Sequence, residues 1–313
     1  MKSEEKKMSL GARLGARGRY KYMWWGYGIL LPGLALLTTF TLVPFFMSFV
    51  RSFTNYDSYN DIMGVETVFV GFQNYTRIFK EERFVKSLGN VVFMASVYAV
   101  SMFVLSFTVA NCYTKLSPGL TNVTKTISYI PHLMSGIVLS IVFTMLFSGD
   151  GLFESISLSL GLGRIGFSVT KPLYYLVIWI PLLWGGMGSN SIVMYAGLLN
   201  IPKDYYEAAS IDGANALDKM LWITIPCMKN YFVLIIINLI TGGLQMFELP
   251  YKMTGGGPMN QTITPVLFLF YEYQSPTLSY GVCLAAAILI MIPIALINGI
   301  VFKLIRSEKS VDD

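Results

Sequence analysis

No charged side chain interrupts the stretch PLYYLVIWIPLLWGGMGSNSIVMYAGLLNIP, residues 172–202. A helix needs roughly 18 to 20 mostly apolar residues to cross the hydrocarbon core of a bilayer, and this stretch is long enough. Five further uncharged windows of sufficient length lie at residues 22–50, 87–114, 126–149, 230–247 and 273–302. Because a bilayer offers no partners to unpaired backbone groups, these windows predict six transmembrane α-helices rather than barrel strands.

Composition supports the same class of protein. The chain has 313 residues, of which 54% are hydrophobic and 13% charged, and its mean hydropathy is +0.57, well outside the range of soluble domains. The windows predict an all-α integral membrane fold with these segments: a basic tail at 1–22, a first anchor helix at 23–50, an extracytoplasmic segment at 51–84, a five-helix core at 85–305 and a tail at 306–313.

The distribution of basic residues predicts the orientation. The tail at 1–22 is rich in Lys and Arg, and most of the 23 basic residues fall on its side of the membrane. Since cytoplasmic loops carry the excess of Lys and Arg, both termini are expected in the cytoplasm of a multi-pass protein. The net charge of +5 then indicates topology and contact with the membrane surface, and no nucleic-acid partner is expected.

The chain has few residues that could perform chemistry. Cys112, Cys227, Cys283 and the single histidine, His132, are scattered over separate spans without ligand spacing. No GxxxxGK[ST] phosphate loop occurs. We therefore expect no metal, no bound cofactor and no enzymatic activity in this chain.

Two spans contain polar side chains that need a partner. On the fifth, Asn238, Thr241, Gln245 and Glu248 are spaced 3, 4 and 3 apart, which predicts a polar stripe on one helix face. An unpaired polar group facing lipid would cost several kcal/mol, so the stripe indicates either a hydrated cavity or a neighbouring helix. The cavity is the favoured interpretation.

The fourth span combines small and polar residues. Gly185, Gly186 and Gly188 permit close approach of another helix, and Ser189 and Asn190 can form hydrogen bonds across such a contact. Helix packing alone and a role in lining a pathway are both compatible with this pattern.

A polar island, EAASIDGANALDKMLWITIP at residues 207–226, separates the fourth and fifth spans. Helix-forming residues flank Asp212 and Gly213, so the pattern predicts two short helices bent at the glycine. Pro226 suits the first turn of the following helix. The residues alone leave open an ordinary amphipathic linker.

This island resembles the EAA loop of ABC importer permeases, and we name residues 200–226 the EAA loop. The matching positions are Glu207, Ala208, Ala209, Asp212, Gly213, Ala214, Ile223 and Pro226. Ile225 and Asn230 depart mildly from the family pattern, which more often has leucine and proline there. FVGFQNYTRIF (69–79), YIPHLMSGIVLSIVFTMLFSGDG (129–151) and MTGGGPMNQT (253–262) are similar to segments of carbohydrate-type permeases.

The resemblance implies a type I importer permease fold in the bacterial cytoplasmic membrane. Such a chain pairs with a second homologous permease as a heterodimer and docks through the EAA loop onto ATPase subunits, two per complex, which hold ATP and Mg. An extracytoplasmic solute-binding protein would contact the outer loop of Gly255, Gly256, Gly257 and Pro258.

The substrate class follows from charge and from the resemblance. The spans hold no Lys or Arg away from their ends, so a neutral oligosaccharide is expected rather than an anion. The predicted substrate-binding residues are Ser189, Asn190, Thr241, Gln245 and Glu248. Alternative functions are a permease for a polyol phosphate or peptide, a stand-alone secondary transporter and a membrane enzyme. The enzyme is the least favoured of these, because a single histidine leaves few groups for catalysis.

Overall fold

The computed structural model describes residues 27–57, 62–64, 66–274 and 278–308. These residues are almost entirely helical, and the one β-bridge among them joins Thr54 to Phe69. The predicted basic tail at 1–22 lies outside the described residues. In chain order the helices are α1 (Tyr27–Arg51), α2 (Gln73–Ile78), α3 (Glu82–Lys115), α4 (Pro118–Tyr129), α5 (Gly136–Phe147), α6 (Leu152–Ser159), α7 (Leu173–Leu199), α8 (Lys203–Ile211), α9 (Ala216–Cys227), α10 (Lys229–Leu244), α11 (Pro265–Gln274) and α12 (Tyr280–Glu308).

The six predicted spans correspond to helices of the structure. Within the described residues, α1, α3, the segment Gly136–Ser159, α7 and α12 are each long and apolar enough to cross a membrane. Helices α9 and α10 meet at an angle of 71° and give a sixth span when counted together. The predicted all-α fold with six spans is confirmed, and the aromatic segment after the first span contains a short helix, α2.

The uncharged window at 126–149 is broken where the sequence places Pro131, and the third span, Gly136–Ser159, begins after that break. Helix α4 ends at Tyr129, a single 3₁₀ turn covers Ile130–Leu133, and α5 begins at Gly136. Proline lacks the backbone N–H that a continuing helix needs. The Ser135 hydroxyl accepts a hydrogen bond from the Val138 N–H at 3.3 Å and so caps the new helix.

The fifth span ends earlier than its polar stripe suggested. Helix α10 stops at Leu244, so the prediction that a single helix face carries the stripe as far as Glu248 is wrong. Residues 245–247 are non-helical, and a further helical segment, 248–254, contains Pro250. The Thr264 hydroxyl donates to the carbonyl of Met246 at 2.7 Å and satisfies a backbone group that the break would otherwise leave unpaired.

Helix α3 is the central element of the packing. It contributes Phe84, Met94 and Met102, all fully buried, to three separate apolar clusters. The first cluster joins it to α5 and α7, the second to α11 and α12, and the third to α7 and α10. Helices α4, α7, α10 and α11 pack directly against α3.

Helix α1 differs from the other spans because none of its most apolar window is buried within the chain. Its large side chains, including Phe40 and Phe46, are exposed. This helix therefore presents its apolar surface to lipid or to another protein.

Close helix approach on α7 depends on Gly188. A Cβ at this position would collide with the backbone carbonyl of Ser128 on α4, and backbone cannot move aside as a flexible side chain can. Gly186 is also tight, since a Cβ there would lie 2.5 Å from the terminal methyl of Met102. The glycine pattern of the fourth span therefore serves helix packing.

We expect Gly188→Ala to destabilise the protein by about 1–3 kcal/mol, because the added methyl overpacks a backbone contact. The measurement is the midpoint of thermal unfolding in detergent, followed by size-exclusion chromatography. Gly89→Ala is the matched control, because a Cβ at exposed Gly89 of α3 meets nothing within 4 Å. Equal midpoints for the two variants would contradict the packing described for α4 and α7.

Candidate functional site

The EAA loop folds into two short helices, as predicted. Helix α8 ends at Ile211, and Gly213 follows with a left-handed φ of +79°. The Ala214 N–H donates to the carbonyl of Ala209 at 2.9 Å, and the Gly213 N–H donates to the carbonyl of Ser210 at 3.3 Å. These two bonds form a Schellman motif, in which glycine is favoured because it adopts positive φ without strain.

A capping box starts the second short helix and was not anticipated from the sequence. The Asn215 Oδ1 accepts hydrogen bonds from the Leu217 and Asp218 N–H groups at 2.8 and 3.0 Å, and Asp218 Oδ2 accepts from the Asn215 N–H at 3.0 Å. The signal was present as an Asn followed three residues later by an acid. The C-terminus of α8 and the N-terminus of α9 are therefore both capped by groups within the loop.

The loop is anchored to the helix bundle by its second half. Ile223 packs against the third apolar cluster, and the Tyr206 hydroxyl lies 2.9 Å from Thr224 Oγ1. The Lys219 ammonium donates to the Ser210 hydroxyl at 2.6 Å and joins the two short helices. Pro226 lies in the last turn of α9, ahead of the 71° bend into α10, and not in the first turn of α10 as predicted.

The outward surface of the loop is apolar and carries a carboxylate. Ile211 is 87% exposed and Trp222 is 79% exposed, and Leu217 is also exposed. Glu207 and Ala208 are exposed on α8, whereas Ala209 and Ala214 are half-buried and Asp212 is exposed at the bend. Large apolar side chains that stay exposed beside polar ones are a feature of protein interaction sites.

A cavity of about 350 Å³ lies beside the break after α10. Its lining residues are Tyr98, Leu182, Gly242, Gln245, Met246, Phe247, Glu248 and Leu249. Two predicted substrate residues, Gln245 and Glu248, therefore share one wall although they do not share a helix. Among these described lining residues there is one carboxylate and no Lys or Arg. Tyr98 of α3 completes the polar part of the lining and was not predicted.

The Glu248 side chain occupies the space beside Gly136, the first residue of α5. A Cβ at Gly136 would collide with the Glu248 carboxylate. A carboxylate is favoured near a helix N-terminus because the helix dipole is positive there. The two interrupted spans thus meet at this carboxylate.

The other three predicted substrate residues lie elsewhere. The Ser189 hydroxyl and the Asn190 amide both donate to the carbonyl of Gly186 on their own helix, at 3.1 and 2.8 Å. The Thr241 hydroxyl donates to Asn298 Oδ1 of α12 at 3.0 Å. The structure does not place these three in the wall of the Gln245 cavity.

The glycine-rich loop at 255–258 is held against α3 and α11. Gly255 and Gly256 have φ values of 59° and 81°. The Thr262 hydroxyl donates to the carbonyl of Gly257 at 2.7 Å, and the Tyr271 hydroxyl donates to that of Gly255 at 3.1 Å. Pro258, which follows Gly257, is half-buried in this loop.

Two residues of α3 that sequence reasoning missed fix the rest of this loop. The Lys86 ammonium donates to the carbonyl of Met259 at 2.8 Å. The Asn90 amide donates to the carbonyls of Asn260 and Ile263 at 2.8 and 3.0 Å. These contacts leave Met259 projecting at the tip, 85% exposed.

Among the described residues, no group of three or more His, Cys, Asp or Glu side chains could hold a metal ion. The candidate sites are a loop surface, a cavity between helices and the glycine-rich loop.

Comparison with known proteins relates this arrangement to a transporter family. The family model for the binding-protein-dependent transport system inner membrane component matches residues 102–309. The multiple sugar-binding transport system permease protein MsmF of Streptococcus mutans is 28% identical over 90% of this chain and 95% of its own length. The arabinooligosaccharides transport system permease protein AraP of Bacillus subtilis is 30% identical over 89% of this chain and 87% of its own length.

A solved structure supports the same fold. A chain from a bacterial ABC transporter involved in the import of the acidic polysaccharide alginate superposes with a TM-score of 0.78. The match covers 93% of this chain and 98% of that chain at 20% sequence identity, which shows similarity of fold alone. With the family model matched over most of the five-helix core, this chain is a multi-pass membrane protein that belongs to the family of binding-protein-dependent transport system inner membrane components.

Proposed function

We propose that this chain is a permease subunit of an ATP-driven, binding-protein-dependent importer of neutral oligosaccharides. It supplies half of the translocation pathway and couples to an ATPase through the EAA loop. The observation that carries the proposal is the capped EAA loop with its exposed apolar surface, in a chain of this transporter family. The names of MsmF and AraP, which are permeases of sugar and arabinooligosaccharide systems, support the substrate class.

The EAA loop is suited to transmit force from an ATPase. Exposed Ile211, Leu217 and Trp222 would be buried in a groove of the ATPase, and the Glu207 carboxylate would pair with a basic group at the groove edge. The partner subunits, two per complex, would hold ATP and Mg and hydrolyse the nucleotide. This chain remains a transport subunit rather than an enzyme.

A second homologous permease is the partner proposed within the membrane. The unburied apolar surface of α1 supports this assignment. The other long apolar spans, α3, Gly136–Ser159, α7 and α12, each have 28% of their most apolar window buried within the chain. A heterodimer in which each permease covers the other's exposed helices would complete the pathway. Rigid-body movement of the two halves would then open the cavity alternately to either side.

The cavity favours a neutral, hydroxyl-rich substrate. The Glu248 carboxylate and the Gln245 amide can accept and donate hydrogen bonds to sugar hydroxyls, and Tyr98 adds a ring face on which a sugar can stack. Since the described lining holds no basic side chain, an anionic substrate would meet an uncompensated carboxylate. This argument disfavours the polyol phosphate alternative and an acidic polysaccharide such as alginate.

Orientation completes the proposal. With both termini in the cytoplasm of a bacterial cell, the EAA loop faces the cytoplasmic ATPase and the Gly255–Pro258 loop faces outward. The hydrogen bonds from Lys86, Asn90 and Tyr271 hold the outer loop in a fixed shape that a solute-binding protein could recognise, with Met259 at its tip.

The first prediction concerns coupling. Affinity purification of the parent chain from its native membranes in mild detergent should recover a second permease and an ATPase. Glu207→Ala and Gly213→Val should each lose most of the ATPase while retaining the second permease. Valine at φ +79° costs about 1–2 kcal/mol and distorts the bend, and mass spectrometry measures the ratio of the chains.

Two controls separate loss of docking from loss of folding. Gly213→Asn should retain the ATPase because asparagine tolerates a left-handed backbone. Asp150→Ala removes an exposed carboxylate from the connection after α5 and should also retain it. Equal ATPase recovery from Glu207→Ala, Gly213→Val and the controls would contradict the coupling role of the EAA loop.

The second prediction concerns the cavity. In uptake assays with a neutral oligosaccharide, Gln245→Ala should raise KM by about 2- to 10-fold and Glu248→Ala by about 10-fold or more, as expected for lost neutral and charged hydrogen bonds. Glu248→Gln should also make uptake more sensitive to competition by an acidic oligosaccharide, because it removes the repelling charge.

Ser96→Ala is the matched control for the cavity variants. The Ser96 hydroxyl is exposed on α3 and donates only to the carbonyl of Val92 on its own helix, so its loss should leave KM unchanged. Unaltered kinetics for both Gln245→Ala and Glu248→Ala in a complex of normal composition would show that substrate passes elsewhere.

A further inference from the structure

A second, larger cavity lies beside the EAA loop, and none of its lining residues lines the Gln245 cavity. Its volume is about 770 Å³, and it is bounded by the end of α3, the start of α4, the end of α7 and the EAA loop. Its polar and charged lining residues are Asn111, Tyr113, Thr114, Lys115, Thr121, Asn122, Tyr195, Lys203, Tyr206, Lys219 and Thr224. Leu116, Leu198 and Met220 are among its apolar lining residues.

The charge of this cavity has a single sign. Lys115, Lys203 and Lys219 are in its wall, and no Asp or Glu occurs among its described lining residues. Within the part of the chain that the structure describes, neither Lys115 nor Lys203 has a carboxylate within ion-pair distance. Three cations around one concave space produce a positive potential that attracts an anion.

Local helix chemistry does not account for all three lysines. Lys115 ends α3, where a cation is favoured by the helix dipole. Lys203 begins α8, where the dipole disfavours a cation, and this helix has no side-chain N-cap. Asp204 follows in the same turn but is exposed and is not part of the cavity wall. The first turn of α8 therefore has no side-chain cap at the point where Lys203 lines the cavity.

We propose that this cavity binds a phosphate-bearing anion between Lys115 of α3 and Lys203 and Lys219 of the EAA loop. The phosphate belongs either to the headgroup of an anionic phospholipid or to a soluble organic phosphate, and both have the same recognition chemistry. Because the ligand contacts the bundle on one side and the loop on the other, it braces the EAA loop against α3. The proposal rests on this cavity and not on the transported substrate.

The experiment compares hydrogen exchange of the amides of residues 203–219 in the purified complex. One arm uses nanodiscs of phosphatidylcholine alone against nanodiscs that also contain phosphatidylglycerol. The other arm titrates inorganic phosphate into phosphatidylcholine nanodiscs, with chloride at equal ionic strength as the reference. If phosphatidylglycerol slows exchange and inorganic phosphate does not, the ligand is a lipid headgroup. If inorganic phosphate slows exchange, the ligand is a soluble phosphate.

Charge-removing variants test the assignment to these lysines. Each of Lys115→Gln and Lys203→Gln should raise about fivefold the ligand concentration that gives half of the maximal slowing of exchange, the effect of one Lys near an anionic surface. The double variant should lose the slowing almost completely. The double arginine variant, Lys115→Arg with Lys203→Arg, should keep the response and shows that the loop still folds. Lys303→Gln, a matched loss of one charge on α12 outside this cavity, should respond as the parent does.

Two results would overturn the proposal. One is exchange of residues 203–219 that neither phosphatidylglycerol nor phosphate slows in the parent. The other is a response of the double glutamine variant equal to that of the parent and of Lys303→Gln.

Discussion

The interior of a bilayer contains no water to pair with a peptide group, and this constraint governs where the chain can depart from a helix. Two breaks at the ends of spans are satisfied by protein: the Ser135 hydroxyl caps α5, and the Thr264 hydroxyl donates to the carbonyl of Met246. The two breaks meet where Gly136 leaves room for the Glu248 carboxylate. The candidate translocation cavity therefore lies where the helices break, since only there can polar groups converge.

The EAA loop follows the same principle on the membrane surface. Its Schellman motif and capping box satisfy the facing ends of α8 and α9, so the bend at Gly213 can move as a unit. The loop continues through α9 and the 71° bend into α10, and α10 ends immediately before Gln245. A displacement of the loop by an ATPase would thus reach the cavity through one helix, as in alternating access by rigid-body motion.

The spans and the EAA loop could be predicted because both are encoded locally, by uncharged windows and by a glycine between helix-forming residues. The cavity could not be predicted completely. The spacing of Thr241, Gln245 and Glu248 assumes an unbroken helix, but α10 ends at Leu244 and the Thr241 hydroxyl pairs with Asn298. Which polar groups face a partner helix and which face a cavity depends on contacts distant in sequence, and periodicity does not contain that information.

The most direct test of the central claim is uptake of a labelled neutral oligosaccharide by proteoliposomes that contain the native complex. The solute-binding protein and sugar are added outside, and ATP is either enclosed or omitted. The account predicts accumulation that requires both enclosed ATP and the binding protein and that a proton or sodium gradient does not replace. Accumulation driven by an ion gradient without ATP would contradict it and identify a secondary transporter.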